Sequence, residues 1–470
     1  MSVGEVMIEL GTREPALDGL RLLVVGLGRS GLAAARLALG RGAKVTVADN
    51  RAEEQLENAG VARELGARLL AGGHPAALAE EADLVVVSPG VPSEIDLLRR
   101  ARELGLPVWG EVELGARFCK GRVIGITGSN GKSTVTSMSG AILRAAGLPG
   151  GTGGNLDSPF CDLLGDDGPG AVHALELSSF QLESVESFRP DVAMILNLSP
   201  DHLDRYPSYD AYARAKARLF EVQAAEDAAV LNADDPESER FRGAARGKLH
   251  LFSTRREPER GAFVRAGRMI VRGDQGETDL LGVAELPVPG EHNLANALAA
   301  ALAGSLVGCP AEAIARGLLE YRALPHRLEL VGTVDGVAYY NDSKATNPAA
   351  AACAVGSFES GKIHLILGGK DKGGDWPSLI PLLQERARSV LLVGQAADTI
   401  AHALKGAVPL RDWGTVPAAV AAGFRDARPG DVVLLSPGCA SFDQYSGFEA
   451  RGDDFIAAVG ALSGSGGADA

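Results

Sequence analysis

Short apolar runs alternate with helix-length segments along most of the chain. Near the amino terminus the runs cover residues 22–25, 44–48 and 84–87, and each leads through a glycine or turn residue into a helical pattern. Such alternation is expected of parallel strands that are joined by crossover helices. It predicts a first α/β domain that closes near Gly110.

The same alternation continues through two further stretches of sequence. Candidate strands of the second stretch are residues 123–126, 172–177, 192–196 and 228–231. Candidate strands of the third stretch are residues 337–340, 363–367, 390–393 and 432–435. The pattern therefore predicts three α/β domains, which we place at residues 1–110, 111–323 and 324–470.

Composition narrows the class of protein. The 470 residues suffice for about three domains. The 46 basic and 60 acidic residues give a net charge of −14, which disfavours a general nucleic-acid binder. Five scattered cysteines form no C-x-x-C pair, and no apolar run approaches the ~18 residues needed to span a bilayer. The first residues lack a basic stretch followed by an apolar one. We expect a cytoplasmic protein that binds neither nucleic acid nor membrane.

A glycine loop follows the first predicted strand. The segment Gly26-Leu-Gly28-Arg-Ser-Gly31 opens a predicted helix, and Asp49 ends the next strand. Glycines at this spacing let backbone N–H groups approach a pyrophosphate at a helix amino terminus. The loop alone is compatible with an NAD-dependent oxidoreductase, with another diphosphate ligand such as a nucleotide sugar, or with a turn that binds nothing. Because later motifs offer no hydride-transfer chemistry, we expect no NAD.

A second phosphate loop, TGSNGKST at residues 127–134, follows the predicted strand 123–126. Its backbone amides can cradle oxyanions, Lys132 supplies a positive charge, and the Ser133 hydroxyl can bind Mg²⁺. The spacing is G-x-x-G-K-S, shorter than the usual G-x-x-x-x-G-K-[ST], because Ile126 stands at the position of the first glycine. The chain contains no guanine-reading N-K-x-D, so ATP is the predicted nucleotide. A non-catalytic ATP-binding regulator remains an alternative.

Three polar residues near the predicted strand ends can add metal chemistry. Glu176 ends one strand and His202 follows the next, so both fall at the carboxyl edge of a parallel sheet. Lys216 lies inside an apolar helical stripe between residues 209 and 220. A lysine that faces inward must be paired, deprotonated or modified, unless its stem carries the ammonium group to solvent.

Seven motifs in sequence order carry a family resemblance: TGSNGKST, LELSSFQLE, NLSPDHLDRY, GEHNLANAL, LPHR, NDSKATNP and SPGCASFDQ. Together they resemble the Mur ligase family of peptidoglycan precursor synthesis. NDSKATNP and LELSSFQ are most similar to the D-glutamate-adding member. We therefore expect an N-terminal Rossmann-like domain, a central P-loop ATPase-like domain with a mainly parallel sheet, and a C-terminal Rossmann-like domain. Another Mur ligase or a folylpolyglutamate synthetase is the nearest alternative.

The resemblance implies an ATP-dependent amide ligation, and we expect a monomer. A substrate carboxylate attacks the γ-phosphate to give an acyl phosphate, and an incoming amine displaces phosphate through a tetrahedral intermediate. The implied substrates are ATP, UDP-N-acetylmuramoyl-L-alanine and D-glutamate, with two Mg²⁺ ions.

The resemblance also implies residue roles. The implied ATP-binding residues are Gly128, Ser129, Asn130, Gly131, Lys132, Ser133, Thr134, Asn293, Asn296, Arg327, Asp342 and Lys344. The implied UDP-substrate residues are Gly28, Arg29, Ser30, Asp49, Asn50, Arg51, Asn155, Ser178 and Gln181. The implied D-glutamate residues are His202, Thr346, Lys372, Ser441, Phe442 and Phe448.

Four of these positions carry the implied catalytic roles: Lys132, Glu176, His202 and Lys216. Ser133 and Glu176 would bind the first Mg²⁺. Lys216 matches the family's carbamylated lysine, whose carbamate would bind a second Mg²⁺ beside His202. For the amino acid, Lys370 is an alternative to Lys372, since the two flank Asp371.

Overall fold

The structure is a computed structural model that describes residues 14–156, 158–203, 205–274, 276–288, 290–358 and 360–465. Residues 1–13, on which the absence of a leader pattern was judged, lie outside the described residues. The chain divides into two compact units. The first comprises Met1–Leu198, Ala213–Glu285 and Asn296–Glu320, and the second comprises Ser199–Tyr212, Leu286–Ala295 and Tyr321–Ala470.

The first unit begins with a parallel sheet in the order β3-β2-β1-β4-β5. Its strands are β1 (Arg21–Val25), β2 (Lys44–Asp49), β3 (Arg68–Ala71), β4 (Leu84–Val87) and β5 (Val108–Gly110). Its helices are α1 (Arg29–Gly40), α2 (Ala59–Glu64), α3 (Asp96–Glu103) and α4 (Glu111–Phe118). Small buried side chains on α1, including Ala34 and Ala38, let that helix pack closely against the apolar strands. This strand order is that of a doubly wound nucleotide-binding sheet.

A second sheet of the same unit runs in the order β14-β13-β12-β11-β10-β9-β6-β8-β7. Its strands are β6 (Arg122–Thr127), β7 (Thr152–Gly154), β8 (Val172–Glu176), β9 (Val192–Ile195), β10 (Ala228–Asn232), β11 (Lys248–Ser253), β12 (Gly261–Arg265), β13 (Arg268–Gly273) and β14 (Gly276–Gly282). Only the pairs β12–β13 and β13–β14 are antiparallel among the described strands of this sheet.

The helices that follow in this part of the chain are α5 (Lys132–Ala145), α6 (Ser179–Leu182), α7 (Tyr209–Ala217), α8 (Glu239–Arg242), α9 (Glu291–Leu306) and α10 (Ala311–Leu319). Helices α7 and α9 each have residues in both units.

The second unit contains a sheet in the order β15-β16-β20-β17-β18-β19, which is parallel except for the pair β15–β16. Its strands are β15 (Glu329–Val334), β16 (Val337–Asn341), β17 (Ile363–Gly368), β18 (Ala387–Val393), β19 (Leu410–Gly414) and β20 (Val432–Leu435). Its helices are α11 (Pro348–Gly356), α12 (Ile380–Arg386), α13 (Ala397–Ala403), α14 (Val416–Asp426) and α15 (Phe448–Ser465). Apolar side chains cover both faces of the sheet, as buried parallel strands require.

The predicted fold class is confirmed: the chain is α/β, with three mostly parallel sheets. All eleven predicted strands are present, with ends that differ by at most a few residues. The domain boundaries at residues 110 and 323 stay predictions. Within the described ranges, no helix combines the length and hydropathy that crossing a bilayer requires.

Candidate active site

The second glycine loop has the strand–loop–helix geometry that its sequence predicts. It leaves the carboxyl end of β6 and enters α5 at Lys132. Gly128 and Gly131 have φ angles of +152° and +83°, a region that side chains disfavour. A Cβ atom on Gly131 would lie 2.5 Å from Asn296 Oδ1. The loop therefore needs glycine at both positions and presents a helix amino terminus to an anion.

Two lysines meet at this loop. Lys132 Nζ donates to the carbonyl oxygens of Gly128 and Ser129, each at 2.8 Å. Lys216 Nζ donates to Gly128 O at 2.8 Å and lies 3.3 Å from Thr127 Oγ1. Lys216 is only 1% exposed, so the inward direction predicted from the helical stripe is confirmed. The alternative in which its stem reaches solvent is wrong.

Glu176 ends β8 and is buried beside the loop. Ser133 Oγ donates to Glu176 Oε2, and Asn155 Nδ2 donates to Glu176 Oε1 at 2.7 Å. The structure thus brings together the two oxygen groups predicted to bind the first Mg²⁺. A serine hydroxyl and a carboxylate are hard oxygen donors of the kind that Mg²⁺ prefers.

The first glycine loop is fastened by Asp49. Its carboxylate accepts from Leu27 N at 2.8 Å, from Arg51 N at 3.0 Å and from Arg51 Nη2 at 2.9 Å. The hydrogen bond from the Arg51 side chain lowers the pKa of Asp49 to about 2, although burial opposes the shift. Arg29 and Asn50 are exposed beside this pair. Asp49 therefore shapes the loop, and its predicted contact with a UDP moiety is untested.

Ser178 and Gln181 form a capping box at the start of α6. Ser178 Oγ accepts from Gln181 N at 3.2 Å, and Gln181 Oε1 accepts from Ser178 N at 2.9 Å. Such a reciprocal pair satisfies two amides at a helix start. The sequence reasoning gave these residues only a ligand role, whereas the geometry shows that they set the turn directly after Glu176.

In the second unit, His202 and Lys372 lie around the carboxylate of Asp201. His202 N donates to Asp201 Oδ1 at 2.9 Å, and Lys372 Nζ lies 4.0 Å from the same oxygen. Asn347 Nδ2 donates to Asp201 Oδ2 at 3.3 Å. His202 has a φ of +55°, which is uncommon for a residue with a side chain. Lys370 is exposed and Lys372 is partly buried, and the choice between them for a substrate carboxylate stays a prediction.

Asp342 has an acid group of unusual pKa. Its carboxyl accepts from Ser436 Oγ at 2.8 Å and from Leu328 N at 3.2 Å. Burial raises its pKa to about 7, against the opposing effect of the Ser436 hydrogen bond. Asp342 therefore changes charge near neutral pH. The charge of Arg327, which was predicted to act with Asp342, lowers the pKa of Asp342 by a smaller amount.

The Phe448 ring connects two predicted subsites of this unit. Lys344 Nζ lies 3.7 Å from the ring centroid, and the His326 ring meets Phe448 edge-on at 6.2 Å between centroids. A cation at that distance is attracted by the ring. Ser441 is buried, whereas Phe442 is 68% exposed. The Phe448 ring thus holds the Lys344 ammonium group in place. The same ring is one of the residues predicted to bind D-glutamate.

Some residues that were predicted to act together fall in different units of the structure. Asn293 and Asn296 are both buried and one turn apart on α9, but Asn293 belongs to the second unit and Asn296 to the first. His202 and Lys216 are likewise divided between the units. Thr346 is partly buried in the NDSKATNP segment. Their shared roles stay predictions.

One residue beside the site was missed by the sequence reasoning. Asn197 follows β9, and its side chain makes two hydrogen bonds to the backbone N–H and C=O of Asn130. Its place in the motif NLSPDHLDRY, directly after a strand, was the signal available in the sequence.

Family models match the chain in three consecutive parts. They are the Mur ligase MurD-like N-terminal domain at residues 20–110, the Mur ligase middle domain at 126–304 and the Mur ligase glutamate ligase domain at 326–439. The chain belongs to the Mur ligase family.

Curated relatives match nearly the whole chain. UDP-N-acetylmuramoylalanine–D-glutamate ligase of Acidobacterium capsulatum is 48% identical over 442 residues, which are 93% of this chain and 96% of the relative. The ligases of the same name from Koribacter versatilis and Solibacter usitatus are each 44% identical, over 93% and 95% of this chain and 96% and 99% of the relatives.

Solved structures share the fold. A pseudomurein peptide ligase type C from Methanothermus fervidus has a TM-score of 0.63 at 21% identity, over 94% of this chain and all of that one. MurF from Acinetobacter baumannii has a TM-score of 0.57 at 20% identity, over 79% of this chain and 90% of that one. At these identities the likeness concerns the fold alone.

Proposed function

We propose that this protein is an ATP-dependent ligase that joins D-glutamate to UDP-N-acetylmuramoyl-L-alanine in cytoplasmic peptidoglycan precursor synthesis. The observation that carries the proposal is the full-length likeness to ligases of that name, with 48% identity over 93% of the chain in the Acidobacterium relative. The phosphate loop and the pair Ser133–Glu176 supply the chemistry that such a ligase needs.

ATP binds at the loop of residues 128–134 in this proposal. Gly131 lets the backbone turn into α5, whose amino terminus faces the phosphates, and Lys132 turns from its loop carbonyls toward them. Ser133 and Glu176 would hold one Mg²⁺, which would stabilise charge on the phosphoryl oxygens during attack by the substrate carboxylate. Asn155 keeps the Glu176 carboxylate aimed at the loop.

Lys216 has a different role because its amine is buried. A lysine amine can react with carbon dioxide to give a carbamate, and the Lys216 amine lies at the phosphate loop, where such a group could act. The carbamate would be an anionic oxygen ligand for a second Mg²⁺, with His202 as the predicted partner. This explains why an arginine could not replace Lys216.

The second unit holds the amino acid. Lys372, whose Nζ lies 4.0 Å from an Asp201 oxygen, pairs with a carboxylate of D-glutamate, and Ser441, Thr346 and Phe448 are the further contacts of the amino acid. His202 orients the approach of the amine to the acyl phosphate. Phe442 is exposed and available to cover the bound substrate.

The remaining partners follow from the first sheet and the composition. The loop around Arg29, with Asn50 and Arg51, binds the uridine diphosphate moiety, and NAD is not used. The acidic net charge fits a monomer that takes small-molecule substrates and binds no nucleic acid or membrane.

The decisive experiment is phosphate release from ATP with UDP-N-acetylmuramoyl-L-alanine and one amino acid at a time. Release should depend on D-glutamate. Dependence on L-lysine or diaminopimelate instead would assign another Mur activity, and dependence on a folate acceptor would assign a folylpolyglutamate synthetase. Catalytic oxidation of added NADH over many turnovers would overturn the ligase proposal altogether.

A further inference from the structure

Asn197 lies at the carboxyl end of β9, the strand that neighbours β6 in the second sheet. The segment after β9 stays hydrogen-bonded to the end of β6, because Leu196 N donates to Thr127 O at 3.0 Å. Asn197 is therefore placed directly against the first residues of the phosphate loop.

The Asn197 side chain makes a two-point contact with the loop. Its Oδ1 accepts from Asn130 N at 2.8 Å, and its Nδ2 donates to Asn130 O at 3.0 Å. The carboxamide offers one acceptor and one donor, so it binds the N–H and the C=O of the same residue and fixes the backbone on both sides of the Asn130 Cα atom. A third bond runs from Ser129 N to Asn197 O at 3.0 Å.

We call these three hydrogen bonds between Asn197 and residues 129–130 the clamp. Close packing between the loop and the residues beneath it accompanies the clamp. A Cβ atom on Gly128 would lie 3.2 Å from Leu196 Cβ and 3.3 Å from Asn197 O. The loop therefore lies flat on residues 196 and 197, where a side chain at position 128 would be crowded.

The clamp divides the loop into two halves. The N–H groups of Ser129 and Asn130 point at Asn197, so they are directed to the protein and not to a bound anion. The chain turns at Gly131, and α5 begins at the next residue. Amides from Gly131 onward are the ones that can approach a phosphate.

We propose that Asn197 is a positioning residue for the nucleotide, which holds the 129–130 half of the loop so that the 131–134 half is shaped for phosphate before ATP arrives. The inference rests on the proposed function in taking ATP as the ligand of this loop. A preformed loop spends less binding free energy on ordering, so loss of the clamp should weaken nucleotide binding.

The test compares Asn197→Ala and Asn197→Asp in the full-length chain. Alanine removes both bonds, whereas aspartate keeps the shape but sets a carboxylate oxygen against Asn130 O. Calorimetric titration with Mg²⁺ and ADP should show affinity at least about tenfold weaker in both variants, because alanine loses two hydrogen bonds and aspartate loses one and sets two oxygens against each other. KM for ATP should rise similarly, while KM for the UDP substrate and for D-glutamate stays within about twofold of the parent.

Asn232→Ala is the matched control. Asn232 ends the next strand, β10, and its Oδ1 accepts from Asp234 N at 2.9 Å in a local turn. ADP affinity should be unchanged in this variant. Melting of the ligand-free proteins reports folding, and if the alanine variant is unfolded, the aspartate variant decides.

Unchanged ADP affinity in the folded variants would overturn the inference, as would an equal rise in all three KM values or an equal loss in the Asn232 control. ADP titration does not depend on which amino acid the enzyme adds. A parent protein that binds ADP but ignores D-glutamate would therefore refute the proposed function while leaving the Asn197 result readable.

Discussion

At the scale of single residues, the site is built from polar groups that neighbouring residues hold in place. Asn155 holds Glu176, Asn197 holds the Asn130 peptide, and Arg51 holds Asp49. Side chains with few remaining rotamers lose little entropy when a ligand binds. The site is thus largely shaped before any substrate arrives.

Lys216 provides the sharpest residue-scale prediction. Lys216→Ala should lower ligase activity at least about a hundredfold, because it removes the group that would carry a metal-binding carbamate. A small carboxylate such as formate or acetate should restore part of the activity, since it can occupy the space left by the side chain. Phosphate release measures both effects.

The control for this prediction is Lys248→Ala, which removes an exposed lysine from β11 and should leave activity intact. Full activity of Lys216→Ala without any additive would exclude the carbamate role.

At the scale of elements, the sequence predicted strands far better than the supports around the site. Runs such as residues 192–196 are apolar throughout, which marks a buried parallel strand whatever packs on it. The antiparallel strands β12 to β14 were missed because their apolar runs are at most three residues long, as at 262–264 in β12 and 269–271 in β13. Asn197 was missed because its role depends on β9 and β6 being neighbours, although they are about 65 residues apart in the chain.

Helix packing next to the phosphate loop gives an element-scale prediction. A Cβ atom on Gly317 of α10 would lie 2.6 Å from Ile142 Cα and 2.7 Å from Ile142 N, which belong to the backbone of α5. Gly317→Ala should therefore lower the free energy of unfolding by about 1–3 kcal/mol, although alanine is the better helix former. Chemical denaturation measures the difference.

Gly460→Ala on α15 is the matched control, because a Cβ atom there would meet nothing within 4 Å. It should raise stability by up to about 1 kcal/mol. Equal changes in the free energy of unfolding at the two glycines would show that the contact of Gly317 with α5 does not affect stability.

At the scale of the whole molecule, buried acids make stability depend on pH. Burial raises the pKa of Glu111, at the start of α4, to about 7, and Cys161 N donates to its Oε1 at 2.6 Å. Because the folded state binds this proton more tightly than the unfolded state, stability is highest below the unfolded pKa and falls as pH rises through about 7.

Glu111→Gln should remove that penalty. The variant should be more stable than the parent at pH 8, by an amount on the order of 3 kcal/mol at most, and the gain should shrink to less than about 1 kcal/mol at pH 5. Melting temperatures at the two pH values test the prediction.

Glu113→Gln is the contrasting variant, because the Glu113 carboxylate accepts from Ser187 N at 2.9 Å, Phe188 N at 3.0 Å and Arg117 Nε at 2.7 Å. It should destabilise the protein at pH 8. A Glu111→Gln protein that melts below the parent at pH 8 would contradict the assigned direction.

The strand β14 has a consequence for behaviour in a crowded cell. It is the outer strand of the second sheet, so one row of its peptide groups could recruit a strand from another molecule. Glu277 and Asp279 on this strand form ion pairs with Arg265, Arg268 and Arg272. A strand from a second copy would have to fit against these charged side chains, and charges on an edge strand disfavour such pairing.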